Sequence, residues 1–170
     1  LVNAGTGHAA GPLGSADFWT ALYFGGVIRF DVLDPWNEGR DRVVLSAGHY
    51  CPVQYACLAE AGFFPKTELK TLRKLGSRLQ GHPVMRLLAG VENSSGSLGQ
   101  GISFACGLAL AAKLKHKSHH VYCVMGDGEQ DEGIKPDLVA RRGPADDRRQ
   151  GAGGAADHDV LHRRALEPHG

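Results

Sequence analysis

Gly126-Asp127-Gly128-Glu129 follows directly on the apolar run Val121-Tyr122-Cys123-Val124-Met125. A buried strand that stops at such a turn puts a carboxylate at the carboxyl edge of a sheet, where open α/β sheets bind ligands. The flanking glycines let phosphates approach the backbone. Asp127 can hold a divalent cation against those phosphates, because hard cations share carboxylate and phosphate oxygens. The chemistry expected at this turn is a metal-bridged diphosphate. Gly-Asp-Gly is also a favoured turn sequence in its own right, so other residues have to carry the case.

Ser94-Ser95-Gly96-Ser97-Leu98-Gly99-Gln100-Gly101 is a glycine-rich loop that opens a long helical pattern. Free amides and the dipole at a helix start form an anion site; the alternative is a loop that only packs the helix tightly. Histidine follows glycine at His8, His49 and His82, each in an expected loop or at an element end. An imidazole there can donate or accept protons near neutral pH, or serve as a hydrogen-bonded structural group. Glu129, Asp131 and Glu132 crowd the turn, where they could support the metal's ligands from behind, contact a partner subunit, or simply form a charged loop. For Glu129 and Asp131 the preferred reading is a charged, solvated loop. His116, His119 and His120 fall on a charged helix end and read as solvated.

These residues need elements to position them. Asp17 to Phe30 reads as a helix with Ser15 as its cap, and Arg42 to Ser46 as a short buried strand. Pro52 to Ala61 reads as a helix ending before Gly62. Pro65 to Leu75 reads as another, with Leu69, Leu72 and Leu75 on one side. Gly99 to Lys117 is a long helix with lysines at its carboxyl end, and Ala105, Gly107 and Ala109 are expected to pack it closely on a sheet. Val121–Met125 is the second strand. Strand, helices, strand predicts an α/β fold with a parallel sheet flanked by helices.

The chain has 170 residues and a formal net charge of +1, which argues against nucleic acid or a membrane surface as partner. No apolar run reaches the length of a membrane span. Cys51, Cys57, Cys106 and Cys123 show no CxxC spacing, which argues against zinc. Free, mostly buried thiols in a reducing, cytoplasmic setting are expected. Leu1 rather than Met opens the chain, so a missing or processed amino end is expected.

Composition changes near residue 134. Residues 134–170 contain no Phe, Trp, Tyr, Ser, Thr, Asn, Cys or Met, and Ala, Gly, Arg, Asp and Pro dominate. Such a stretch cannot bury enough apolar surface to offset its ordering entropy. It reads either as a disordered functional tail or as a frame-shifted translation of GC-rich DNA, and its codon bias favours the second. His158 and His162 have the i, i+4 spacing of helical metal ligands, set in a segment whose composition speaks against a helix. Two regions are expected: a domain over residues 1–133 and an atypical tail over 134–170.

Five blocks, in order and spacing, resemble transketolase: Gly7-His8-Ala9-Ala10-Gly11-Pro12-Leu13-Gly14, Leu45-Ser46-Ala47-Gly48-His49, Gly76-Ser77-Arg78-Leu79-Gln80-Gly81-His82-Pro83, Ser95-Gly96-Ser97-Leu98-Gly99-Gln100-Gly101 and Gly126-Asp127-Gly128-Glu129-Gln130-Asp131-Glu132-Gly133. The match is to the domain that binds thiamine diphosphate, over residues 1–133. The form with separate amino- and carboxyl-terminal subunits looks most similar. The resemblance implies a thiamine-diphosphate-binding fold, incomplete at the carboxyl end, and two-carbon ketol transfer between sugar phosphates.

It further implies that His49 and Gly96, Ser97 and Leu98 touch the cofactor, that Asp127 binds Mg²⁺ or Ca²⁺, and that Gly128 donates to a phosphate oxygen. His8 and His82 would handle substrate hydroxyls and protons, and Glu132 would lie at a subunit interface near the cofactor. The implied partner is a carboxyl-terminal, pyrimidine-binding domain or subunit, in a dimer. Ala9-Ala10 replaces the Pro-Gly usual in the family, and Ala47 a common Lys. The family's metal shell needs an asparagine about thirty residues beyond the Gly-Asp-Gly turn, and none occurs after Asn93. An inactive truncated remnant is therefore one alternative. Deoxyxylulose-phosphate synthase or a 2-oxo-acid dehydrogenase first component is another, against which the Gly76–Pro83 block argues.

Overall fold

The computed structural model describes residues 1–132. Six regular elements run in order: α1 (Ala10–Gly14), α2 (Ala16–Phe24), β1 (Arg42–Leu45), α3 (Cys51–Ala61), α4 (Gln100–Leu114) and β2 (Val121–Val124). Short 3₁₀ helices occupy Val2–Ala4, Gly48–Tyr50, Lys66–Thr71 and Gly128–Asp131.

The two strands are parallel and paired Arg42↔Val121 through Leu45↔Val124. Parallel neighbours need a long crossover, and α3, the connecting loops and α4 supply it. The sheet is flanked by helices, as expected. α4 lies against both strands, while α3 packs on α1 and α2. The core gathers Trp19 and Leu22 of α2, Val43 and Leu45 of β1, Tyr55 and Leu58 of α3, and Leu79 and Leu88 from the loops, all buried. Trp19 and Tyr23 stack with ring centroids 5.9 Å apart.

The free edge of β1 is satisfied by a side chain. Asn93 Oδ1 accepts from the Leu45 N–H at 3.1 Å, and Asn93 Nδ2 donates to the Leu45 carbonyl at 3.0 Å. The buried amide does the work of one residue of a neighbouring strand, and it anchors the loop that starts at Ser94. At the amino end of β1, Arg40 Nη2 donates to both carboxylate oxygens of Glu92 (2.8 and 3.0 Å) in a mostly buried ion pair.

Several expected elements differ. The helix expected over Asp17 to Phe30 begins at Ala16 and stops at Phe24, because Gly25-Gly26 follows and Gly26 has φ 72°. Ser15 is no side-chain cap: its hydroxyl donates to the Gly11 carbonyl at 2.7 Å and joins α1 to α2. Pro65 to Leu75 is not an α-helix but the 3₁₀ stretch Lys66–Thr71. The leucine spacing of three suits three residues per turn. Leu72 is buried, and Leu75 lies fully exposed after the chain turns at Arg73, φ 62°. α4 ends at Leu114, short of Lys117; it buries Gly101, Ala105 and Ala112, with Gly101 set against Ser46, whereas a Cβ added at Gly107 would meet nothing within 4 Å. All four cysteines are free. Cys51 and Cys57 are buried, Cys123 is half-buried and Cys106 is exposed.

Candidate functional site

Because β1 and β2 are parallel and in register, the chain leaves both at the same edge. The Ser46 N–H still reaches the Val124 carbonyl at 2.9 Å. Beyond it the two exit segments, Ala47-Gly48-His49 and Met125-Gly126-Asp127, run side by side. A Cβ on Gly126 would come within 3.6 Å of the Tyr50 hydroxyl and 3.8 Å of Ala47 Cβ. Gly48 is where a third and a fourth segment arrive. A Cβ there would sit 2.7 Å from Ser95 Oγ and 2.9 Å from His82 Cδ2, so only glycine admits this approach. Ser95 Oγ is buried and without a hydrogen-bond partner among the described residues.

The three Gly-His pairs converge on this edge. The His8 and His49 rings meet edge to face, centroids 5.1 Å apart. His49 is half-buried. Burial is the largest influence lowering its pKa below the ordinary histidine value; the nearby His8 acts the same way, Glu129 opposes it, and His82 adds the smallest lowering influence. The neutral imidazole is thus favoured at His49, as a proton acceptor or hydrogen-bonding group requires. His8 and His82 are exposed at the rim. Arg73 borders the same hollow, lined also by Gly7, Cys51 and Gly81.

Glu129 is a correction to the reading of a solvated charged loop. It is only 2% exposed. Its Oε1 accepts from Ser46 Oγ at 2.6 Å and from the Gly99 N–H at 2.9 Å, and its Oε2 accepts from the Gly126 N–H at 2.9 Å. Ser46 Oγ in turn accepts from the Gly101 N–H at 3.1 Å. A buried carboxylate is stable in such company.

The glycine-rich loop is therefore rearranged relative to expectation. Two amides at the start of α4, those of Gly99 and Gly101, already serve the protein's own oxygens. The N–H groups of Gly96, Ser97 and Leu98, just before the helix, are exposed and have no acceptor among the described residues.

Asp127 is exposed at the end of β2, and its Oδ1 accepts from the Gly128 N–H at 2.8 Å, capping the 3₁₀ turn Gly128–Asp131. That N–H has to change partner to serve a phosphate. Asp131 and Glu132 are exposed beyond it. Among the described residues no three His, Cys, Asp or Glu side chains gather to hold a metal, so Asp127 stands as a single carboxylate. His158, His162 and the tail of changed composition lie outside the described residues.

Residues 1–143 match the family described as "Transketolase, thiamine diphosphate binding domain". The chain belongs to the transketolase family. It is 47% identical over 141 residues to transketolase of Mus musculus, covering 82% of this chain and 22% of that protein. It is 46% identical over 132 residues to the 6-deoxy-6-sulfo-D-fructose transketolase subunit SqwG of Clostridium sp. (strain MSTE9), covering 76% of this chain and 46% of the subunit. Among solved structures, transketolase from Leishmania mexicana superposes with a TM-score of 0.73 at 36% identity, over 82% of this chain and 22% of that one. The chain thus spans about a fifth of the full-length transketolase and just under half of the separate subunit. Neither the family match nor these relatives supports the synthase or dehydrogenase alternatives.

Proposed function

We propose that this chain forms the diphosphate-gripping part of a transketolase-type enzyme that moves a two-carbon ketol unit between sugar phosphates. One observation carries the reading: three unclaimed amides at Gly96–Leu98, the Asp127 carboxylate and the His49 imidazole all belong to segments that meet at one edge of a parallel sheet. Open room at Gly96 and Gly128, where an added Cβ would touch nothing within 4 Å, and the orphaned Ser95 hydroxyl fit a diphosphate laid over that edge.

The Gly96, Ser97 and Leu98 N–H groups donate hydrogen bonds to phosphate oxygens, as backbone amides do at such turns. Asp127 contributes one oxygen to Mg²⁺ or Ca²⁺, and Gly128 donates once released from Asp127. When bound, thiamine diphosphate supplies the carbon centre that carries the ketol group. His49 orients the cofactor, while His8 and His82 exchange protons with the sugar hydroxyls from the rim. Glu132, exposed at the end of the turn, faces a partner subunit. A carboxyl-terminal domain or subunit completes the site by binding the pyrimidine end, within a dimer.

A second reading, a chain that meets its partner without holding cofactor, draws on the absence of any asparagine after Asn93. Calorimetric titration with thiamine diphosphate and Mg²⁺, alone and with a carboxyl-terminal transketolase subunit added, separates the two. Saturable, metal-dependent heat that disappears in Asp127→Asn is expected. No heat under either condition would sink the enzymatic reading.

A further inference from the structure

We propose that Glu129 is a positioning residue for the diphosphate site: its carboxylate sets the distance between the Gly96–Leu98 amides and Asp127. The proposal rests on the reading that a diphosphate binds between those segments.

The geometry is that of a clamp with three jaws. Donors to Glu129 come from the exit of β1 (Ser46 Oγ), the amino end of α4 (Gly99 N–H) and the exit of β2 (Gly126 N–H). Gly99 directly follows Leu98, and Gly126 directly precedes Asp127. The two groups proposed to grip opposite sides of one diphosphate are therefore each one residue from a hydrogen bond to the same carboxylate. They cannot separate further than one carboxylate and two hydrogen bonds allow without breaking a contact.

The clamp also explains why the amides at Gly96–Leu98 remain available. Glu129 and Ser46 satisfy the amides at the helix start, so the loop before it has no reason to fold back onto α4. The negative end that a helix amino terminus attracts is built in, and the external anion is displaced outward onto the loop.

Glutamine is the informative substitution. It keeps the size of Glu129 but offers one acceptor oxygen and one NH₂ donor. Whichever way it turns, an N–H or O–H on one side faces another donor. Either Gly126 or the Ser46–Gly99 side is released.

The test uses the full chain, with the carboxyl-terminal subunit present, in four forms: unaltered, Glu129→Gln, Ser46→Ala and Leu22→Ala. Half-saturation by thiamine diphosphate at fixed Mg²⁺ is measured beside Tm and amide hydrogen exchange. Loss of a charge-assisted contact predicts about a tenfold rise in half-saturation for Glu129→Gln and about threefold for Ser46→Ala. Exchange should speed up at Gly99 and Gly126 in Glu129→Gln and stay slow at Leu45, which Asn93 holds. Leu22→Ala, a core change away from the site, should lower Tm and leave half-saturation unchanged. Unaltered affinity in both site variants overturns the proposal, as does an equal loss in Leu22→Ala, which would reduce the effect to general stability. If Glu129→Gln fails to fold, Glu129→Asp decides: it keeps the charge on an arm one methylene shorter, which cannot hold both amides at their present spacing, so a raised half-saturation supports the proposal and an unaltered one overturns it. Absence of binding in the unaltered chain removes the diphosphate reading and this proposal together; tight binding with unaffected variants removes this proposal alone.

Discussion

His49 is held in a setting that disfavours its charged form: burial first, then His8, partly opposed by Glu129. Its folded pKa lies below that of the unfolded chain, ordinarily about 6.5. Between those two values the unfolded state binds more protons, so stability rises with pH across that window and falls as pH drops through it. Lowering the pH from 7 to 5 should therefore lower Tm more in the natural chain than in His49→Gln, a difference thermal unfolding by circular dichroism will report. Equal pH slopes would show that the burial of His49 beside His8 carries no energetic weight. The glycine-histidine spacing and the Gly-Asp-Gly turn were readable from residue types alone, because glycine marks close approach wherever it is placed. Glu129 was not. Nothing local separates it from Asp131 and Glu132; its burial follows from Ser46 and Gly99, which lie 83 and 30 residues away. Asn93 escaped for the same reason, since its partner is the distant backbone of Leu45, and Ser95 because its hydroxyl is buried against Gly48 from a distant part of the chain.

Elements with a strong internal pattern came out close to expectation: β1, β2, α3 and most of α4. The failures share a cause, an apolar period read across a backbone position that cannot continue the helix. Gly25-Gly26 ends α2, and the left-handed Arg73 and Gly76 break the leucine run after Thr71. The packing of α4 is a matter of single atoms. A Cβ on Gly101 would lie 2.5 Å from Ser46 Cα and 2.6 Å from its hydroxyl. Gly101→Ala should therefore push the start of α4 off β1 and cost about 1–3 kcal/mol by overpacking. Urea unfolding monitored by fluorescence will show this as a lower midpoint. Gly107→Ala on the same helix meets nothing and should be neutral or slightly stabilising, by up to about 1 kcal/mol, through helix propensity. A comparable loss at both positions would mean that helix content, not the contact with Ser46, governs this face.

At the scale of the whole molecule, one core carries the described part, and Leu58 is at its centre with no exposed surface. Leu58→Ala should cost about 2–5 kcal/mol, the usual range for a buried leucine, and should lower Tm without altering which residues line the sheet edge. The outward side of α4 differs: Phe104, Leu110 and Leu114 are exposed. Among the described residues only Gly101, Ala105 and Ala112 of that helix are buried.

The bond from Ser46 to Glu129 has a bearing on how the protein comes into being. During synthesis, β1 emerges long before the strand it pairs with, and Ser46 waits for an acceptor 83 residues downstream. Closing so long a loop is slow and entropically costly until many contacts form at once. Until that closure Gly99 and Gly126 lack their shared acceptor, so the grip proposed for the diphosphate is completed late, only after the acidic turn has left the ribosome.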